Sequence, residues 1–169
     1  MTTSKDWQPT EGGCPCGAIR YRLEQSPLIV HCCHCTWCQK ESGSAFALNA
    51  MIETKFVKLL STAQPVVVTI PSASGKNQQL HNCPNCQIIV WSNYGDSGDI
   101  VRFVRVGTLD DPSVAPPNVH IFTSTKQPWV VLGDGLPIKE EYYLRDEVWL
   151  EDSLARRTQY LTDSELGFM

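Results

Sequence analysis

Apolar and polar positions alternate in short runs along most of the chain, and the period is that of β-strands. Ile19, Tyr21 and Leu23 are interleaved with Arg20 and Arg22, which predicts a half-buried strand leaving directly from Cys16-Gly17. Leu28-Ile29-Val30 forms a second apolar run and Phe46-Ala47-Leu48 a third, so the stretch between them reads as strand, cysteine-rich loop, strand. Val66 to Ile70 is β-branched throughout and bounded by Pro65 and Pro71, which predicts a buried strand. The polar stretch Ser72 to Gln79 reads as an exposed hairpin connection, and Ile88-Ile89-Val90-Trp91 as the strand that leaves the Cys83 pair. Ile100 to Val106 is apolar on both faces, as an interior strand would be. Asn118 to Phe122 and Trp129 to Leu132 are two further short runs, the second ending at Gly133-Asp134-Gly135.

About seven short strands with turn residues between them predict a mainly β fold. Beyond Gly135 the texture changes: Leu150, Leu154 and Leu161 fit helical spacing, with Glu151 and Asp152 early and Arg156 and Arg157 later, as the helix dipole prefers. The expected organisation is a polar N-terminal segment over 1–11, a cysteine-bearing β domain over 12–135 and a C-terminal extension over 136–169 with helical spacing.

A chain of 169 residues is long enough to bury a core without relying on a metal to fold. The net charge of -4 and the absence of any Lys/Arg run beyond Arg156-Arg157 argue against a nucleic-acid partner or an anionic membrane surface. No apolar run approaches the ~18 residues of a membrane span, and Met1 to Glu11 lacks the charged start and apolar centre of a signal peptide, so a cytoplasmic address is expected. In such a reducing compartment, closely spaced cysteine pairs are metal ligands more often than disulfides.

All eight cysteines fall into three clusters: Cys14-Pro15-Cys16, the run from Cys32 to Cys38, and Cys83-Pro84-Asn85-Cys86. Zinc bound through sulfur takes four tetrahedral ligands, and two ligands from each of two tight turns is the usual way to assemble them. Cys14, Cys16, Cys83 and Cys86 fit this pattern, giving a closed site of structural type. Cys33, Cys35 and Cys38 supply three sulfurs with no cysteine left to close the shell, the pattern of a catalytic zinc with an exchangeable position. Two zinc ions per chain are therefore expected. Cys32 reads as a strand residue or a spare thiol, while His31 and His34 compete to be a fourth ligand that would turn the second site into a structural one.

Zinc with three thiolates carries a formal charge of -1, so it activates water less than zinc held by three neutral histidines. That charge disfavours a strong hydrolase and suits holding a substrate sulfur or polarising a small carbonyl, with a nearby residue moving the proton. His34, Glu41, His81 and His120 are the candidate catalytic residues for that transfer.

The combination resembles the glutathione-dependent formaldehyde-activating enzyme family, which includes the centromere protein V-like proteins. The resemblance runs from about Gly12 to Leu132. It rests on Gly13-Cys14-Pro15-Cys16-Gly17, on Cys33-His34-Cys35-Thr36-Trp37-Cys38 with Ser42-Gly43-Ser44 after it, and on Cys83-Pro84-Asn85-Cys86. Gly107-Thr108-Leu109-Asp110, Pro117 with His120-Ile121, and Lys126-Gln127-Pro128-Trp129 follow in the family's order. The resemblance implies a tent-like arrangement of short antiparallel sheets, a structural zinc on Cys14, Cys16, Cys83 and Cys86, and a second zinc on Cys33, Cys35 and Cys38. It also implies a carbon-sulfur lyase that adds glutathione to formaldehyde, giving S-hydroxymethylglutathione, so the expected partner is glutathione or one of its adducts. A homodimer is compatible with this reading. The alternatives are a zinc-stabilised binding or scaffold module without catalysis, and a metabolic lyase or isomerase using the three-cysteine site on another substrate. Two positions depart from the family pattern: Asn82 stands where an aromatic residue is usual, and Gln87 where glycine is.

Overall fold

Short β-branched and aromatic runs dominate the architecture of the chain, seen here in a computed structural model that describes residues 7–72, 75–95 and 98–166, the last five by backbone alone. Among the described residues there are ten strands in two sheets and two α-helices, so the mainly β expectation holds. The chain divides into two units, one comprising the chain up to Pro27 with Ala50–Pro116, the other Leu28–Asn49 with the chain from Pro117 onward.

In the first unit, β1 (Thr10–Gly13), β2 (Arg20–Leu23) and β5 (Val57–Leu59) form an antiparallel sheet in the order β1-β2-β5. The strand predicted from Ile19 to Leu23 is β2, with Tyr21 and Leu23 fully buried and Arg20 and Arg22 on the other face. Those two arginines bracket Glu11 of β1, and Arg20 also grips Asp110 through two bonds of 2.7 and 2.5 Å. Tyr21 packs edge-on against Trp91 with ring centres 5.7 Å apart, and its hydroxyl shares a 2.6 Å hydrogen bond with Thr108 Oγ1. The buried aromatic pair thus has its polar end satisfied, as a core tyrosine requires.

Four more strands of this unit, β6 (Val66–Pro71), β7 (Asn77–Asn82), β8 (Ile89–Tyr94) and β9 (Val101–Arg105), lie antiparallel in the order β9-β8-β7-β6. The expected strand over Val66–Ile70 exists, but it is not buried: Val66, Val67 and Val68 are 41 to 49% exposed. β6 has β7 as its single strand neighbour and stands at the end of the sheet, where β-branched residues satisfy backbone preference without gaining burial. Its connection to β7 includes residues 73 and 74, which lie outside the described residues, as do residues 1–6 of the polar start. Strands β1 and β7 have too few apolar positions, as in TEGG and NQQLHN, for periodicity to reveal them, and β5, with three residues, is too short.

The two paired-cysteine turns of this unit repeat one backbone design. Cys14 N–H donates to Ile19 C=O at 3.1 Å and Cys83 N–H to Ile88 C=O at 2.9 Å, five residues on in each case. The residue after each second cysteine curls back, Gly17 N–H to Cys14 C=O and Gln87 N–H to Cys83 C=O, and both are left-handed, at φ +76° and +60°. Glycine reaches that region without a Cβ penalty, whereas glutamine is strained there.

In the second unit, β3 (Ile29–Cys33) is buried along its whole length and pairs in parallel with β10 (Val119–Ile121), setting His120 beside Cys32 and Ile121 beside Cys33. This parallel pair departs from the all-antiparallel expectation; the long connection between the two strands permits it. The stretch read as a cysteine loop between strands contains a helix instead, α1 (Thr36–Ser42). Cys35 caps its start, accepting from Cys38 N–H at 3.3 Å, and Gly43 ends it in the left-handed conformation with its N–H on Gln39 C=O. After α1, β4 (Ala47–Glu53) begins in this unit and runs into the other.

Trp129 to Leu132 is not a strand. Lys126 Nζ donates to the carbonyls of Gln127 and Val130 at 3.0 and 2.7 Å and Val130 N–H to Gln127 C=O, which curls the backbone and removes ladder partners. Trp129 and Val131 are accordingly 71% and 88% exposed. Further on, His120 N–H meets Pro137 C=O and Lys139 N–H meets His120 C=O, both at 2.9 Å, so the extension lies alongside β10. The expected C-terminal helix is α2 (Glu151–Leu166). Among the described residues no helix is long and apolar enough to cross a membrane.

Relief of the strain at residue 87 is measurable: Gln87→Gly should raise stability by up to about 1 kcal/mol, and Gly17→Ala should lower it by a similar amount although its Cβ would meet nothing within 4 Å. Denaturant unfolding of the two variants checks both signs.

Candidate metal centres

Three groups of cysteine and histidine side chains come together, each within a single unit. In the first unit the two matching turns deliver Cys14, Cys16, Cys83 and Cys86, whose sulfurs all lie within 4.8 Å of one another. Cys14 Sγ is 3.4 Å from Cys16 Sγ, and Cys16 Sγ is 3.5 Å from Cys83 Sγ. Those separations are far beyond a disulfide's ~2.05 Å and all eight cysteines are free, but they approach the ~3.8 Å edge of a tetrahedron of sulfurs each ~2.3 Å from zinc. Backbone amides point at the sulfurs as they do at thiolates: Ile19 N–H donates to Cys14 Sγ at 3.3 Å and Asn85 N–H to Cys83 Sγ at 3.4 Å. Desolvation pushes the Cys83 thiol up, but the amides of Cys86 and Asn85 outweigh it and hold it below the ordinary thiol range. Four sulfurs in contact and an amide set arranged for negative charge fit a bound cation of zinc type.

The second group, Cys33, Cys35 and Cys38, joins the end of β3 to the first turn of α1. No fourth Cys, His, Asp or Glu donor joins these three among the described residues. The thiols of Cys33 and Cys38 hydrogen-bond to Cys35 and hold it far below the usual thiol range, helped by the backbone amides of Cys38 and Trp37. The same bond to Cys35 drives the Cys33 thiol far up. Three sulfurs packed within 4.8 Å of one another are a soft donor set, and this group also fits zinc.

His31 and His34 take different neighbours. His31, buried on β3, bonds Tyr143 Oη through Nε2 at 2.6 Å, and Tyr143 Oη also receives Trp149 Nε1–H at 3.0 Å. Burial, then the charge of Arg145, lowers its pKa to about 4, so it is neutral at pH 7. His34 Nε2 lies 3.0 Å from His120 Nδ1 and 3.5 Å from Cys32 Sγ, and these three residues form the third group. His120 Nε2 in turn meets Asp134 Oδ2 at 2.8 Å, which holds the Asp134 carboxyl below its usual range. Burial above all, then the neighbouring His120, holds the His34 pKa low as well. Cys32, read as a strand residue or spare thiol, is both a β3 residue and a member of this group; burial, then Asp134, pushes its pKa up to about 12.

Of the residues proposed for proton transfer, His34 and His120 are thus brought into contact. Glu41 lies half-buried on α1. His81 belongs to the other unit, on β7, with its ring 5.5 Å from that of Trp91. Asp134, Tyr143 and Gln39 went unrecognised in the sequence. Gln39 donates to the carbonyls of His34 (2.6 Å) and Thr125 (2.9 Å) and accepts from Gln127 Nε2, fastening α1 to the loop after β10. The one visible signal was Asp134 itself, a carboxylate between two glycines, a turn in which Leu136 N–H also caps its Oδ1.

Fold and donor groups together define a mainly β protein with cysteine and histidine clusters that could hold a soft divalent cation. A family model for the glutathione-dependent formaldehyde-activating enzyme matches residues 9–125, and the chain belongs to that family. No curated protein matches the chain. Among solved structures, a crystal structure of a Rhodobacter sphaeroides protein is similar, with 16% identity, 63% of this chain and 96% of that one covered, and a TM-score of 0.44.

Two measurements probe the buried polar supports. Tyr143→Phe leaves His31 Nε2 and Trp149 Nε1 without their shared partner and should cost about 2 kcal/mol of stability by denaturant unfolding. A strong zinc chelator should lower the melting temperature markedly, and Cys83→Ser should reproduce most of that loss by itself.

Proposed function

We propose that the chain is a zinc-dependent carbon-sulfur lyase that interconverts a small aldehyde and a thiol with their hemithioacetal, glutathione and formaldehyde being the first pair to test. Membership of the formaldehyde-activating family supports the reaction class. The observation that carries the assignment of the site is the three-sulfur group Cys33, Cys35 and Cys38, which no further side-chain donor completes among the described residues. Cys14, Cys16, Cys83 and Cys86 would hold a structural zinc. Zinc on Cys33, Cys35 and Cys38 would supply an exchangeable position where a thiolate sulfur or an aldehyde oxygen is held and polarised.

In the forward direction the thiol loses its S–H proton, a carbon-sulfur bond forms, and the former carbonyl oxygen gains a proton. The chain must therefore take one proton and return one, with no net change. His34 lies between Cys33 and Cys35 in sequence and is linked through His120 to the Asp134 carboxylate. Hydrogen bonding from His120 Nε2 to Asp134 leaves Nδ1 facing His34, so a proton taken up by the pair would lie beside the balancing Asp134 carboxylate. His34 and His120 are proposed for this role ahead of Glu41 and His81, because they are the two candidates in contact.

Exchange between free and adduct formaldehyde in the presence of glutathione, followed by NMR, should be accelerated by the full chain. Cys35→Ser should reduce that acceleration at least 100-fold while the far-UV circular dichroism is retained. A wild-type chain that leaves the exchange rate unchanged, or a fully active Cys35→Ser chain, would refute the reading. The second outcome would favour a scaffold role for the three-cysteine group.

A further inference from the structure

We propose that Cys32, His34 and His120 form a third cation site, distinct from both cysteine groups and suited to a zinc-type divalent ion. Occupancy of that site would take the same His34 Nε2 and His120 Nδ1 lone pairs that serve in proton transfer and so suspend that role while the ion is bound. The evidence is geometric. Around a tetrahedral ion with ~2.3 Å to sulfur and ~2.0–2.1 Å to imidazole nitrogen, a sulfur and a nitrogen ligand stand ~3.6 Å apart and two nitrogens ~3.3 Å apart. Cys32 Sγ is 3.5 Å from His34 Nε2, and His34 Nε2 is 3.0 Å from His120 Nδ1, with all three donors inside 4.8 Å and all three residues buried. The two separations that involve His34 are thus within a few tenths of an ångström of those in an ion-binding shell, and Cys32 and His120 lie within 4.8 Å of each other.

Strand register builds the site. The parallel pairing of β3 with β10 places His120 directly beside Cys32, and side-chain alternation along β3 sends Cys32 to the opposite face from Cys33. The donors of this group and those of the three-sulfur group therefore do not compete for one ion. Asp134 supplies the support characteristic of a metal-bound histidine: its carboxylate accepts from His120 Nε2–H at 2.8 Å, which fixes the tautomer that turns Nδ1 toward His34 and Cys32. A Cys thiolate with two neutral histidines gives a zinc site of net charge +1, and the Asp134 carboxylate next to it brings the total to zero. One thiolate with two imidazoles is a donor set of zinc type, whereas oxygen-seeking magnesium and calcium would be rejected. Asp134 lies beyond residues 9–125, so this support comes from outside the segment that the family model matches.

The test is zinc stoichiometry of the full chain by native mass spectrometry, with far-UV circular dichroism confirming the fold of each variant. Cys32→Ser should remove one ion, Cys35→Ser one, and the double variant two. A double variant that retains as much zinc as Cys35→Ser alone overturns the proposal. Cys35→Ser keeping its full zinc complement would instead undermine the proposed lyase site and leave this one standing. Should Cys32→Ser fail to fold, Asp134→Asn in the Cys35→Ser background serves in its place: the affinity of the third ion, titrated with zinc alone, should fall 10- to 100-fold. An unchanged affinity also overturns the proposal.

Discussion

Soft donors without a counter-charge impose the constraint on which this structure depends. Four sulfurs from residues 14, 16, 83 and 86 meet within 4.8 Å, although nearly seventy residues of chain separate the two pairs. Such a contact is costly for bare thiolates, which repel, and gains little for thiols, whose hydrogen bonds are weak. A divalent cation would remove that conflict, and the two turns match the need. Each cysteine pair sits in a turn with the same five-residue closure and the same left-handed residue behind the second cysteine, and each turn launches a strand that enters the core, β2 with Tyr21 and β8 with Trp91. The two strands meet through those rings, so sulfur convergence and aromatic packing reinforce each other.

In the second unit the organising device is the alternation of β3. Four consecutive residues with metal-ligating side chains, His31 to His34, would crowd a single ion if they shared a face. The strand instead sends Cys33 toward Cys35 and Cys38, and Cys32 toward His34 and His120, while His31 is engaged by Tyr143. Helix α1 then converts the spacing of Cys35 and Cys38 into proximity, with the capping bond from Cys38 N–H to Cys35 Sγ closing the turn. The segment after residue 125 contributes the polar partners: Asp134 for His120 and Tyr143 for His31. That segment therefore holds the two histidine rings in place through hydrogen bonds.

Much of this was legible in the sequence because its signals are local. The alternation from Ile19 to Leu23 marks β2, the spacing of Leu150, Leu154 and Leu161 marks α2, and the spacing of the cysteine pairs marks the grouping of Cys14 with Cys16 and of Cys83 with Cys86. Local signals also explain the errors. Val66 to Ile70 has the composition of a buried strand, but burial is set by what packs on it, and β6 is last in its sheet. Trp129 to Leu132 has strand propensity, yet the Lys126 ammonium captures the Val130 carbonyl. The cysteine-rich run hides a helix because its cap is a thiol rather than the usual hydroxyl or carboxylate.

By itself the sequence determined the mainly β class, the ligand types and the family, since these follow from periodicity, spacing and motif order along the chain. Only the tertiary structure decided which of the remaining donors meet: that Cys32 parts from Cys33 to join His34, and that His120, held by Asp134, stands beside His34. The reason is physical. Spacing fixes the reach of neighbouring side chains, whereas a parallel register between strands far apart in the chain is set by hydrogen bonds and core packing that no single segment encodes.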